Sequence, residues 1–142
     1  MRFVSKILPL LMAALAVPGQ AAELSAAQVA AVLGVPITKA KTEPNRASAK
    51  SIDTSYETAG GDAVVIVHRG PISLWAATRA AGGTETEPFA SKGREGYRWK
   101  GLNMVCAAGA AEFVCITPSV YYLMARKQPG DTALRALLDA AL

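Results

Sequence analysis

Apolar and polar positions recur with two different periods along this chain, and the changes of period mark its elements. Leu24-Ser25-Ala26-Ala27-Gln28-Val29 has the form of a capping box. The Ser25 hydroxyl reaches the Gln28 amide, the Gln28 side chain reaches back, and Leu24 and Val29 occupy the staple positions. Val29, Val32 and Leu33 then share a face, and Gly34 and Pro36 stop the run. This predicts a helix over Ala26–Leu33. Residues 51–58 alternate, with Ile52, Thr54, Tyr56 and Thr58 on one side and Asp53, Ser55 and Glu57 on the other, the pattern of a half-buried strand. Gly60-Gly61-Asp62 is a turn, and Ala63-Val64-Val65-Ile66-Val67 is β-branched at four of its five positions, so a central strand returns beside the first.

Gly70-Pro71 ends that strand. Residues 72–81 are alanine-rich and predict a helix with Pro71 at its start, Gly82-Gly83 past its end, and Ile72, Trp75 and Ala76 on one face; a strand through Ile72-Ser73-Leu74-Trp75 competes. Residues 38–50 hold Lys39, Lys41, Arg46 and Lys50 against Glu43 alone and read as a solvated loop; residues 84–96 read as irregular. Alternation resumes at Tyr97 and Trp99, shifts phase past Gly101, continues through Leu102, Met104 and Cys106, turns at Gly109-Ala110 and returns over residues 112–117. The start Val120-Tyr121-Tyr122 favours a strand over residues 120–125, while Thr117-Pro118 and Arg126-Lys127 suit a competing helix. Gly130-Asp131 opens a last helix capped by Asp131, with Leu134, Leu137, Leu138 and Ala141 on one face. The order α-β-β-α-β-β-(β)-α predicts an α+β fold: an antiparallel sheet of four to five strands with two or three helices on one face.

The first twenty-one residues have a different character. Arg2 and Lys6 precede the uncharged run Ile7-Leu8-Pro9-Leu10-Leu11-Met12-Ala13-Ala14-Leu15-Ala16-Val17, Pro18-Gly19 breaks it, and Gly19 and Ala21 are the small residues of a cleavage site. This is the three-part pattern of a secretory signal, cut after residue 21 or 22, and it places the rest, residues 22–142, in the periplasm or outside the cell as one domain. The apolar run is about half the length that spans a bilayer, so no stable membrane insertion is expected after cleavage. The whole chain of 142 residues has a formal net charge of +4, but two of its fifteen bases lie in the signal and all eleven acids beyond it, so the exported part is less basic. That balance argues against a nucleic-acid partner. With 51% hydrophobic and 18% charged residues the chain is not disordered.

One histidine and two cysteines exclude the common multi-ligand zinc and iron–sulfur sites, and no cofactor or metal is expected. With a turn at Ala110-Ala111 the hairpin register sets Ala108 opposite Phe113, Ala107 opposite Val114 and Cys106 opposite Cys115, within disulfide reach in an oxidising compartment. His68 follows the valine-rich strand. As a general base it needs an orienting carboxylate, Asp53 or Glu57 across the hairpin, and no Gly-x-Ser-x-Gly motif supplies a nucleophile, so no catalytic residue is assigned. One surface segment has binding character: Lys92, Arg94, Arg98 and Lys100 interleave with Tyr97 and Trp99. Alternation puts bases on one face and aromatics on the other, which suits an acidic envelope protein or a small anionic ligand, or simply an amphipathic strand.

Leu33-Gly34-Val35-Pro36 closing a capped helix, followed by Ser55-Tyr56-Glu57 on a strand, a valine-rich partner, a second hairpin and a leucine-rich last helix, is similar to a loose group of small exported bacterial proteins, many of them secreted lipoproteins. The resemblance implies the α+β fold and carries no activity or catalytic residue. This chain departs from the group in lacking a lipid-anchor cysteine and a cysteine near Tyr56. The function expected from all of this is binding or accessory work in the bacterial cell envelope. The alternatives are a small periplasmic hydrolase using His68 and a structural subunit of an envelope complex.

Overall fold

The computed structural model describes residues 23–142; the signal-like segment lies outside them. The elements are α1 (Ala26–Leu33), β1 (Lys39–Pro44), β2 (Ile52–Glu57), β3 (Ala63–Pro71), α2 (Trp75–Ala81), β4 (Thr86–Ser91), β5 (Arg94–Trp99), β6 (Met104–Ala108), β7 (Glu112–Pro118), α3 (Val120–Met124) and α4 (Asp131–Ala141). The α+β class holds, but among the described residues the sheet has seven strands, in the order β1-β2-β3-β7-β6-β5-β4, with four α-helices. Every neighbouring pair is antiparallel. The sheet is two meanders, β1-β2-β3 and β4-β5-β6-β7, joined by the β3–β7 pairing.

The two extra strands are edges. In β1 every residue is exposed, so there is no apolar alternation to read; it is held by its ladder to β2, and its charges at Lys39, Lys41 and Glu43 suit a strand with one unpaired side. The opposite edge, β4, contains Pro88, which is tolerated there. The turn into β5 is Lys92-Gly93, both with positive φ (50° and 71°) between the paired Ser91 and Arg94. That is the primed hairpin geometry that glycine makes easy.

Residues 120–124 form α3 rather than a further strand. Pro118 already pairs with Val65 near the start of β3, so no partner strand remains beyond it. The Ser119 amide bonds to the Val64 carbonyl and the chain turns across the end of the sheet, burying Tyr122. Tertiary position overrides β propensity here. The middle helix starts later than expected: Pro71 ends β3, Ile72–Leu74 is a 3-10 turn, and of the predicted face only Trp75 is buried. At the last helix Gly130 is the cap position and no side chain caps it; the Asp131 carboxylate instead meets Arg135 Nε at 2.8 Å and Arg98 Nε at 3.6 Å.

The helices do not share one face. Leu24 and Val29 of the α1 region, Tyr122 of α3 and Leu134, Leu137, Leu138 and Ala141 of α4 pack on Tyr56, Val65, Val67, Val105, Val114 and Ile116. The opposite face carries a smaller cluster of Trp75 from α2 with Tyr97, Met104, Cys106, Phe113 and Cys115. The capping box is present, with Gln28 N donating to Ser25 Oγ at 3.1 Å and Ser25 N to Gln28 Oε1 at 2.8 Å, and Gly34 ends α1 at φ 65°. Ahead of α1, the Tyr56 hydroxyl, fully buried, donates to the Leu24 carbonyl at 2.6 Å and ties that segment to β2. Tyr56→Phe leaves that acceptor buried and unpaired, so a loss of about 1–2 kcal/mol is expected in urea unfolding. An unchanged midpoint would show that the bond contributes nothing.

Candidate functional site

One row of side chains crosses all seven strands. Glu43 stands opposite Asp53, Asp53 opposite His68, His68 opposite Cys115, Cys115 opposite Cys106, Cys106 opposite Tyr97 and Tyr97 opposite Pro88. The row lies on the face that carries α2 and changes character halfway. From Cys115 to Tyr97 it is buried with Trp75, and Pro88 at the far edge is exposed. From His68 towards β1 none of the described helices covers it, and in a neighbouring row Lys41 is exposed and Ser55, Ile66 and Thr117 are half-buried.

At the boundary Cys106 and Cys115 form a disulfide, Cα–Cα 4.0 Å, in the register read from the sequence, and both are buried. Beside it His68 Nδ1 meets Asp53 Oδ1 at 2.5 Å. Asp53 Oδ2 accepts from Asn45 Nδ2 at 2.9 Å, and Asn45 Oδ1 in turn accepts the amides of Ala47 and Ser48. The Asx turn thus fixes the carboxylate, and the carboxylate fixes the imidazole. In the neutral ring this places the proton on Nδ1 and leaves Nε2 as an acceptor. The other side of the ring lies against Phe113, centroids 5.5 Å apart. Of the two carboxylates that sequence offered as partners, the register selects Asp53; Glu57 lies past a bulge, opposite Ala63. A pair of this kind can act as an oriented base or as a hydrogen-bonding anchor. The one hydrogen bond recorded for the ring, among the described residues, is the one to Asp53, and the facing Cys115 sulfur is committed to its disulfide.

The basic–aromatic segment is divided by the fold. Lys92 sits in the β4–β5 turn and Arg94 is exposed beside it. Tyr97 is in the core, its hydroxyl donating to the Thr78 carbonyl at 3.3 Å, and burial, opposed by Arg79, pushes it up to about 12. Arg98 donates to Asn103 Oδ1 at 2.7 Å and approaches Asp131 and Glu87 on the α4 side of the sheet. Lys100 meets Glu87 at 2.9 Å and holds that carboxyl below its ordinary range. Trp99 is half-buried against the Trp75 cluster. Bases and aromatics do face opposite ways, and the aromatic side is the packed one. Lys92 and Arg94 are the two bases of the segment without a carboxylate within ion-pair distance among the described residues. Glu95, which the sequence did not single out, faces the aromatic side, accepts from Trp75 Nε1 at 3.4 Å and pairs with Arg79.

No group of His, Cys, Asp and Glu side chains among the described residues is arranged to hold a metal ion, and none of the described helices is long and apolar enough to cross a membrane. Comparisons with protein-family models, with curated proteins and with solved structures find no match to this chain.

Proposed function

We propose that this is an exported, non-enzymatic binding or accessory protein of the bacterial cell envelope, and that the open half of the sheet receives its partner. The observation that carries the reading is the division of the α2 face: one half is sealed by Trp75, the other presents polar side chains on a ladder with none of the described helices above it. A fixed sheet presents its side chains at constant spacing without an ordering cost on binding, which is what a recognition surface needs. Lys39, Lys41, Glu43, Asp53 and Glu57 mix both signs on this half, which suits the polar surface of another envelope protein better than a small anion. Lys92 and Arg94, unpaired at the β4–β5 turn, are a second contact for acidic groups. The disulfide and the signal-like N-terminus support the exported location.

Photo-crosslinking in the producing cells tests the reading. A probe at Ser55 is expected to trap a discrete protein, and His68→Ala with Lys41→Ala is expected to remove that adduct while a probe at Arg94 reports the second contact. Absence of any discrete adduct from either position would overturn the proposal. The Asp53–His68 hydrogen bond favours one rival, a small hydrolase with His68 as base. Turnover of model esters or amides by the wild type, abolished in His68→Ala, would establish that rival instead.

A further inference from the structure

Among the described residues, large exposed apolar side chains crowd together at the end built by α3 and the β5–β6 connection. Leu123 is 74% exposed, Met124 71%, Leu102 51% and Val120 47%. Leu102, Val120 and Leu123 line one shallow cleft of ≈ 300 Å³ with Pro118 between them, so they form a single patch and not scattered residues. Tyr122 is the buried residue of α3, and Tyr121 packs half-buried beside it against the core. Leu123 and Met124, at the end of α3, are the most exposed of these side chains.

Bases border this tip, and the carboxylates near it, Glu87 and Asp131, are already paired. Arg126 and Lys127 follow directly and are exposed. The Arg126 amide bonds to the Leu123 carbonyl and the Lys127 amide to the Tyr122 carbonyl, so both bases are held against the end of the helix. Neither has a carboxylate within ion-pair distance among the described residues. Lys100 lies two residues from Leu102 and pairs with Glu87. The carboxylate on this side, Asp131, is already engaged by Arg98 and Arg135. A protruding pair of flexible apolar side chains bordered by unpaired bases is complementary to a surface that is apolar beneath and anionic above.

We propose that the α3 tip is a membrane-surface docking point for bilayers carrying anionic phospholipid, with Leu123 and Met124 entering the headgroup–acyl boundary and Arg126 and Lys127 meeting the phosphates. The contact is peripheral and reversible, because so few residues enter. It stands apart from the open half-sheet and does not depend on which partner binds there.

The test is vesicle co-sedimentation with the protein as recovered from producing cells, its N-terminus fixed by mass spectrometry. Binding is expected to vesicles of phosphatidylglycerol and phosphatidylcholine in equal parts, to fall with added salt, and to be far weaker to phosphatidylcholine alone. Arg126→Gln with Lys127→Gln is expected to lower the partition to anionic vesicles roughly thirtyfold, from the usual worth of two bases at an anionic surface. Leu123→Glu with Met124→Glu should abolish it while the circular dichroism spectrum stays that of the wild type. Equal binding to both vesicle types, or equal binding by either double variant, would overturn the proposal. So would absent vesicle binding together with a dimer that the Leu123/Met124 variant dissolves, since the patch would then be an interface between copies.

Discussion

Phe113→Ala is expected to lower the unfolding free energy by about 3–5 kcal/mol, the largest effect of any single substitution considered for this molecule. The ring is 1% exposed and packs against both α2 and β3. It lies 5.9 Å from the Trp75 ring of α2 and 5.5 Å from His68. Its edge also lies over Gly70, where an added Cβ would come within 2.6 Å of it. Removing the ring leaves a cavity that the surrounding strands cannot close, because Gly70 has no side chain to move and Cys115 is pinned by its disulfide. Guanidinium unfolding with unchanged m would measure the loss directly. A loss below about 1 kcal/mol would mean that α2 is not packed on this face as described. The same variant removes the wall behind the imidazole, so any ligand held at His68 should weaken with it.

Loss of the Cys106–Cys115 bond, by reduction or by a double Cys→Ala change, is expected to cost about 2–3 kcal/mol, the value for closing a loop of this size. The sequence separation is only nine residues, so the entropic gain is at the modest end. The bond nevertheless ties β6 to β7 at the β3–β7 seam, with Cys115 directly opposite His68, and both cysteines are buried. Reduced protein should therefore remain folded at room temperature and lose several degrees in Tm. Thiol titration of the denatured, unreduced chain should find no free thiol. Two free thiols there would show that the pair is not joined in the cell's product.

Where the residues themselves carry the periodicity, the sequence was sufficient. Ser25 and Gln28 specify their own helix, Leu134, Leu137, Leu138 and Ala141 name the buried face of α4, and the Cys106–Cys115 register follows from the position of one turn. The Asp53–His68 contact was legible in the same way, as one of two choices, because Gly60-Gly61 sets the β2–β3 register. What could not be read was decided by neighbours. Strand β1 has no buried residue and exists because β2 offers it a ladder. Helix α3 exists because β3 starts too late to pair with residues beyond Pro118. Asn45, which fixes Asp53, sits in a loop whose relation to the site depends on β1, so nothing local announces it. The basic–aromatic segment shows the converse: its alternation was correct, but whether the aromatic side met solvent or α2 lay with Trp75, far away in sequence.

The joining of the two meanders through β3 and β7 has a kinetic consequence. Every other strand pair is made between neighbours along the chain, so each closes only a short loop. The β3–β7 pair alone brings together segments separated by α2, β4, β5 and β6. The longest loop closure in the sheet therefore falls on this one pairing, which makes it the slowest pairing expected in folding. Until it occurs, two half-sheets coexist, each with a row of unpaired amides and with Val65 and Val67 or Val114 and Ile116 laid bare. Those are the ingredients of exchange between copies, so a nascent chain passes through its most vulnerable state just before its last seam is sewn.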